Sequence, residues 1–85
     1  KSDDAKAYYN RGTAYFYLGR YQQAIDDFNE AIRITNDYAD ALHNRAVVYF
    51  KSGNMKMACE EARKNCEKGF CKTMEQLKSQ GYCQW

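Results

Sequence analysis

The sequence says much the same thing twice. Sliding it by 34 residues lays Ala5 on Ala39, Ala7 on Ala41, Asn10 on Asn44 and Arg11 on Arg45. The same ungapped register lays Tyr15 on Tyr49, Phe16 on Phe50, Gly19 on Gly53 and Ala24 on Ala58. A period of this length belongs to a supersecondary unit that cannot bury its apolar face alone and therefore stacks on its neighbour. The 85 residues hold one domain, 1–85, near the size at which a single apolar core is marginal.

Each unit reads as two helices. In the first, Ala7, Tyr8, Ala14, Tyr15 and Leu18 recur at helical spacing, and Gly19 ends the run because it accepts the left-handed backbone of a helix terminus. The second helix, over about residues 21–34, carries Ala24, Ile25, Phe28, Ala31 and Ile32 on one stripe and stops at the turn "TND". A third helix spans about 38–51, Gly53 repeats the role of Gly19, and a fourth reaches about Lys68 before Gly69. Beyond it "CKTMEQLKSQ" places Met74 and Leu77 on one face and stops at Gly81, a short fifth helix with Phe70, Tyr82 and Trp85 as further anchors. Strand patterns and prolines are missing. The fold class is all-α: a helical-hairpin repeat solenoid with units at 5–38 and 39–72 and a capping helix within 70–85.

"AYYNRGTAYFYLGRYQQAIDDFNEAI" resembles a tetratricopeptide repeat, and the resemblance runs through both units. Tyr8, Gly12 and Tyr15 stand where that family has a large, a small and a large residue on its first helix, as do Leu42, Ala46 and Tyr49. Ala24, Phe28 and Ala31 fit the second helix. Repeat two departs from the pattern, with Ala62 and Asn65 where a large and a small residue are usual, so its second helix does not meet an ordinary next repeat. Arg11 and Arg45 also stand where an aliphatic residue is more common, their long stems still able to cover apolar surface.

The resemblance implies a binding module for a protein or extended peptide, using the concave face lined by the first helix of each repeat. By register this face takes Lys6, Tyr9, Asn10, Thr13, Phe16 and Tyr17 from repeat one. Repeat two adds Asp40, His43, Asn44, Val47, Phe50 and Lys51. Aromatics there offer stacking area at low entropic cost and the Asn side chains can bond a peptide backbone, although Phe16 and Phe50 also suit packing between helices. The carboxylate grip of chaperone-binding members is missing, because Tyr9 and Thr13 replace its Lys and Asn, with only Asn44 in place.

All four cysteines, Cys59, Cys66, Cys71 and Cys83, fall in the last 27 residues, where the repeat pattern breaks down. Cys59 and Cys66 are seven apart on one helix, about 10.5 Å, beyond the roughly 6.8 Å that a disulfide spans between Cα atoms. Two pairings survive, and an antiparallel turn at "EKGF" favours Cys66–Cys71 with Cys59–Cys83. Zinc and reduced core thiols are the rivals, although intervals of six, four and eleven residues match no familiar zinc spacing. Crosslinks in place of a missing third repeat imply an oxidising, extracytoplasmic compartment, periplasmic or secreted. The cysteine-rich ending is similar to that of repeat proteins exported by bacteria.

Other classes find little support. The net charge of +2 is spread among acids, so a nucleic-acid footprint is not expected. No window approaches the roughly 18 apolar residues of a membrane span. The polar start "KSDDAK" shows no leader, which a mature or excised domain would have lost in any case. The single His43 has no accompanying nucleophile, metal-ligand or phosphate-loop motif, and Asp26–Asp27 and Glu60–Glu61 read as solvated faces. The expectation is a module without catalysis, cofactor or metal. Alternatives are a structural or self-associating assembly domain of a larger envelope protein and, more distantly, a cysteine-rich cell-wall hydrolase acting through His43.

Overall fold

The computed structural model describes residues 2–83. Five helices follow one another: α1 (Ser2–Tyr17), α2 (Tyr21–Ile34), α3 (Ala39–Lys51), α4 (Met55–Glu67) and α5 (Lys72–Ser79). The described residues are helices, turns and short connections throughout, as expected for a helical-hairpin solenoid. No helix of the described residues is long and apolar enough to cross a membrane.

Gly19 and Gly53 close the first helix of each hairpin at φ +77° and +89°. At each, two backbone bonds satisfy carbonyls that the helix end would leave bare. Arg20 N–H donates to Tyr15 O at 2.9 Å and Gly19 N–H to Phe16 O at 3.0 Å, and Asn54 and Gly53 repeat this on Tyr49 and Phe50. The tight reversal lets α2 fold back on α1 and α4 on α3. Asn54 also caps α4, its side chain accepting from Met57 N–H at 3.3 Å.

The core forms where α1, α2 and α3 meet. Ala24, Ile25, Phe28 and Ala31 of α2 join Ala41 and Val48 of α3 in one buried cluster, with Tyr8, Tyr9, Tyr15 and Phe16 of α1 packed against it. Gly12 marks the crossing of α1 and α2. A Cβ built there would lie 2.9 Å from Phe28 Cε1, so the ring owes its place to a missing side chain. In repeat two the corresponding pair is Ala46 and Ala62, both fully buried.

Helix α5 packs on α4 and α3 in the way that α3 packs on α2 and α1. It thus occupies the place of the first helix of a third repeat, cut down to eight residues. Its buried anchors are Leu77 and Thr73. The helical spacing predicts a longer cap, with Met74 as an anchor, and does not single out Thr73. Phe70 and Met74 are half-buried, Tyr82 is 41% exposed with its ring edge-on to Phe50 at 4.9 Å, and Trp85 lies outside the described residues. Disulfides join Cys59 to Cys83 and Cys66 to Cys71, with Cα separations of 5.8 and 3.9 Å.

Candidate functional site

The helices α1, α3 and α5 touch in sequence along one side, whereas α2 and α4 do not meet among the described residues. That difference makes the first-helix side the concave one. Lys6, Asn10, Tyr17, Asp40 and Lys51 are exposed, and Tyr17, 79% exposed, is the most open large apolar residue among the described residues. Lys51 Nζ lies 5.8 Å from the centre of the Phe50 ring.

Other residues expected to face a ligand are engaged internally. Tyr9 is half-buried, its ring 5.3 Å from Tyr38 and 5.9 Å from Phe28. Asn44 Nδ2 donates to the Tyr9 hydroxyl at 3.3 Å and lies 3.5 Å from Thr13 Oγ1, whose hydroxyl donates to Tyr9 O at 2.9 Å. Register assigns Tyr9 to the face shared by the first helices but does not reveal that Tyr38 packs against it. Tyr9 is therefore a junction between repeats, not the free contact that an isolated repeat suggests.

His43 and Val47 turn toward α5. A His43 ring nitrogen, Nδ1, shares a hydrogen bond with Thr73 Oγ1. Two hollows flank this contact. One, of about 380 Å³, lies at the start of α3 and α5 and includes Asp40, His43, Asn65, Phe70, Lys72 and Thr73. The other, of about 230 Å³, runs between Val47, Phe50 and Lys51 of α3 and Gln76, Leu77 and Gln80 near the end of the chain. Asn65, where the family has a small residue, is buried and donates to Leu42 O at 3.3 Å, fixing α4 to α3. Its importance was not visible in the sequence, where it looked only like a departure.

Burial holds the His43 imidazole below its ordinary value of 6.5, the Lys72 charge adds to this and Asp40 opposes it. Glu75 of α5 lines the same hollow. Because the unfolded chain binds the proton first, the His43 contribution is fully present above pH 6.5 and fades as pH falls below it. Protection of α5 against hydrogen exchange, taken relative to the intrinsic amide rate, should therefore fall as pH drops below 6.5, with His43 titrating below its free value. An imidazole titrating at or above the free value would contradict the contact.

A second arrangement repeats with the sequence. Arg11 grips Asp27 through Nε at 2.7 Å and Nη2 at 2.8 Å, and one repeat on Arg45 pairs with Glu61 while donating from Nη1 to Asn29 at 2.9 Å. Asp27 and Glu61 are 4% and 7% exposed, which corrects their reading as parts of solvated faces. Adjacent helical side chains diverge by about 100°, so one acid of each pair points inward to its Arg while Asp26 stays in water. The signal was available: Arg and acid both recur at 34 residues, and their 16-residue separation matches a hairpin.

Two hairpins with matching glycine closures are thus followed by α5, the shortened first helix of a third unit. The TPR repeat family model matches residues 12–53, from the Gly12–Phe28 crossing to the second glycine closure. The two hairpins are tetratricopeptide repeats. A tetratricopeptide-repeat unit of this kind is a protein–protein interaction module. The chain is 38% identical over 56 residues to the Tetratricopeptide repeat and J domain-containing co-chaperone DNJ1 of Cryptococcus neoformans var. grubii, covering 66% of this chain and 11% of that protein. It is 30% identical over 70 residues to the Photosystem I assembly protein Ycf3 of Synechococcus sp. (strain CC9605), covering 79% of this chain and 40% of that protein. The chain thus spans less than half the length of either relative.

Proposed function

We propose that the concave face of α1, α3 and α5 binds an extended segment of a partner protein without performing chemistry on it. The observation that carries this reading is the continuous run of three first helices with Asn10, Tyr17, Asp40 and Lys51 open to solvent along it. An exposed aromatic beside amide and charged groups supplies both contact area and backbone hydrogen bonds. Among the described residues the His43–Thr73 pair suggests an activated nucleophile, but it argues for structure, since Thr73 is 3% exposed and hydrogen-bonded to the imidazole edge. The co-chaperone and assembly-protein relatives support a partner that is itself a protein. The paired cysteines support work in an oxidising, extracytoplasmic setting.

Peptides selected from a random displayed library, with binding sites mapped by NMR, test the reading. Tyr17→Ala and Lys51→Ala are expected to weaken the selected peptide by about 1–2 kcal/mol each without changing the melting temperature. Tyr9→Ala should lower stability as well. Selected peptides that map to the outer faces of α2 and α4 would remove the groove from consideration.

One observation favours a second reading, assembly. Ala7 and Ala14 are exposed on α1 and Leu18 is 69% exposed, whereas the residues in the same register on α3, Ala41 and Val48, are fully buried against α2. Helix α1 offers to a neighbour what α3 gives to α2. A hollow of about 510 Å³ between Tyr8, Arg11 and Arg33 lies on the same side. Light scattering across concentrations separates the two: a dimer abolished by Leu18→Lys supports assembly through α1, and a monomer throughout leaves the groove reading alone.

A further inference from the structure

The sequence repeat allows the two junctions between first helices to be compared residue by residue. At the first junction Tyr38, the residue preceding α3, lays its ring over Tyr9 with centroids 5.3 Å apart and planes inclined by 33°. One repeat later, 34 residues on, His43 stands for Tyr9 and Lys72 stands for Tyr38. The lower ring is kept as an imidazole, while the upper ring is replaced by a flexible exposed chain. The hollow of about 380 Å³ opens at this point, with His43, Phe70 and Lys72 among its walls.

We propose that this hollow receives one tyrosyl or tryptophanyl side chain of the partner, stacked on His43 as Tyr38 stacks on Tyr9. The inference deepens the groove reading and rests on it. The first junction supplies the template: an aromatic ring seated between consecutive first helices of this same chain. Its counterpart site has the flat surface, the half-buried Phe70 as a wall and a volume suited to one ring. The rim selects the kind of ring. Asp40 and Glu75 can accept a hydrogen bond, and the Lys72 ammonium can donate one or lie over a π face, so a ring with a polar tip suits the site better than a plain phenyl. Thr73 holds the imidazole in orientation, so the stacking surface is fixed before the ligand arrives.

N-acetyl-tyrosinamide and N-acetyl-tryptophanamide are the probes, with N-acetyl-leucinamide as the control, titrated into the oxidised protein and followed by backbone NMR. Both aromatic probes should shift His43, Phe70 and Thr73 saturably in the millimolar range, and the leucine compound should not. Lys72→Tyr restores the first-junction sequence pattern at an exposed position; the introduced ring should show NOEs to His43 and weaken the probes by about tenfold. His43→Leu, which fills the position with an apolar side chain and removes the flat face, should weaken them as well. Absence of shifts in the hollow, equal shifts with the leucine compound, or undiminished binding to a folded Lys72→Tyr protein would overturn the proposal. Library peptides that bind across Tyr17 and Lys51 while the probes ignore the hollow remove only this inference. Probes that bind while no peptide crosses α1 and α3 remove the groove reading and leave the aromatic site standing.

Discussion

Truncating Phe28 to Ala should cost about 3–5 kcal/mol, the range for deleting a buried aromatic ring, out of the roughly 5–15 kcal/mol that holds a small domain folded. Urea denaturation at equilibrium reads this directly. The loss should sit at the upper end because the ring is fully buried and faces Gly12, which has no side chain to move into the gap. Gly12→Leu in the wild-type background should also destabilise, by driving its Cβ into the same ring. Combined in one chain, the two changes should cost less than their sum, since each relieves the other, with a coupling of about 1–3 kcal/mol. Additive losses would show that Gly12 and Phe28 do not share one space.

Opening the cysteine end is the second large effect. In the loop-entropy account the Cys59–Cys83 bridge, with a sequence separation of 24, contributes about 3.5 kcal/mol, and Cys66–Cys71, with a separation of 5, about 2 kcal/mol. The paired replacement Cys59→Ser with Cys83→Ser should therefore be the more damaging. The eight residues of α5 are too few for a helix to persist in water unaided, so the damage should begin there. Hydrogen exchange should quicken in residues 70–83 well before residues 5–34, whose packing involves no sulfur. Intact mass about 4 Da below the reduced value is the control for both bridges. Four free thiols, or one zinc per chain, in protein from its native compartment would overturn both the crosslinked cap and the extracytoplasmic setting.

The repeat was legible because contacts in a stacked-hairpin fold run between neighbours in the chain, so period, glycine closures and apolar stripes all report the same architecture. Gly19 and Gly53 had to take positive φ, and α2 fell on the boundaries that its stripe suggested. What escaped depended on side chains that only the packing of one helix on another brings together. Tyr9 could be placed on a face, but its cover by Tyr38 required knowing how closely α3 approaches α1. Asp27 and Glu61 looked like half of a solvated pair because adjacency in sequence hides a divergence in direction. Helix α5 reads in the sequence as a short capping helix and is the stump of a third first helix, recognisable only from its packing on α3 and α4.

The Cys59–Cys83 bond also decides how the protein behaves under tension. A stack of hairpins with few contacts between distant levels peels unit by unit when pulled from its ends. Here the peeling meets a covalent shunt. The chain between Cys59 and Cys83 stays out of the stretched path, withholding about 80 Å of contour at the usual length per extended residue, more than twice the 35 Å long dimension of the folded molecule. Force entering at residue 83 passes straight to the middle of α4, so α1, α2 and α3 can extend while α5 is never loaded directly. The bond that secures the weakest helix against heat thus also makes it the last part of the molecule to feel a pull.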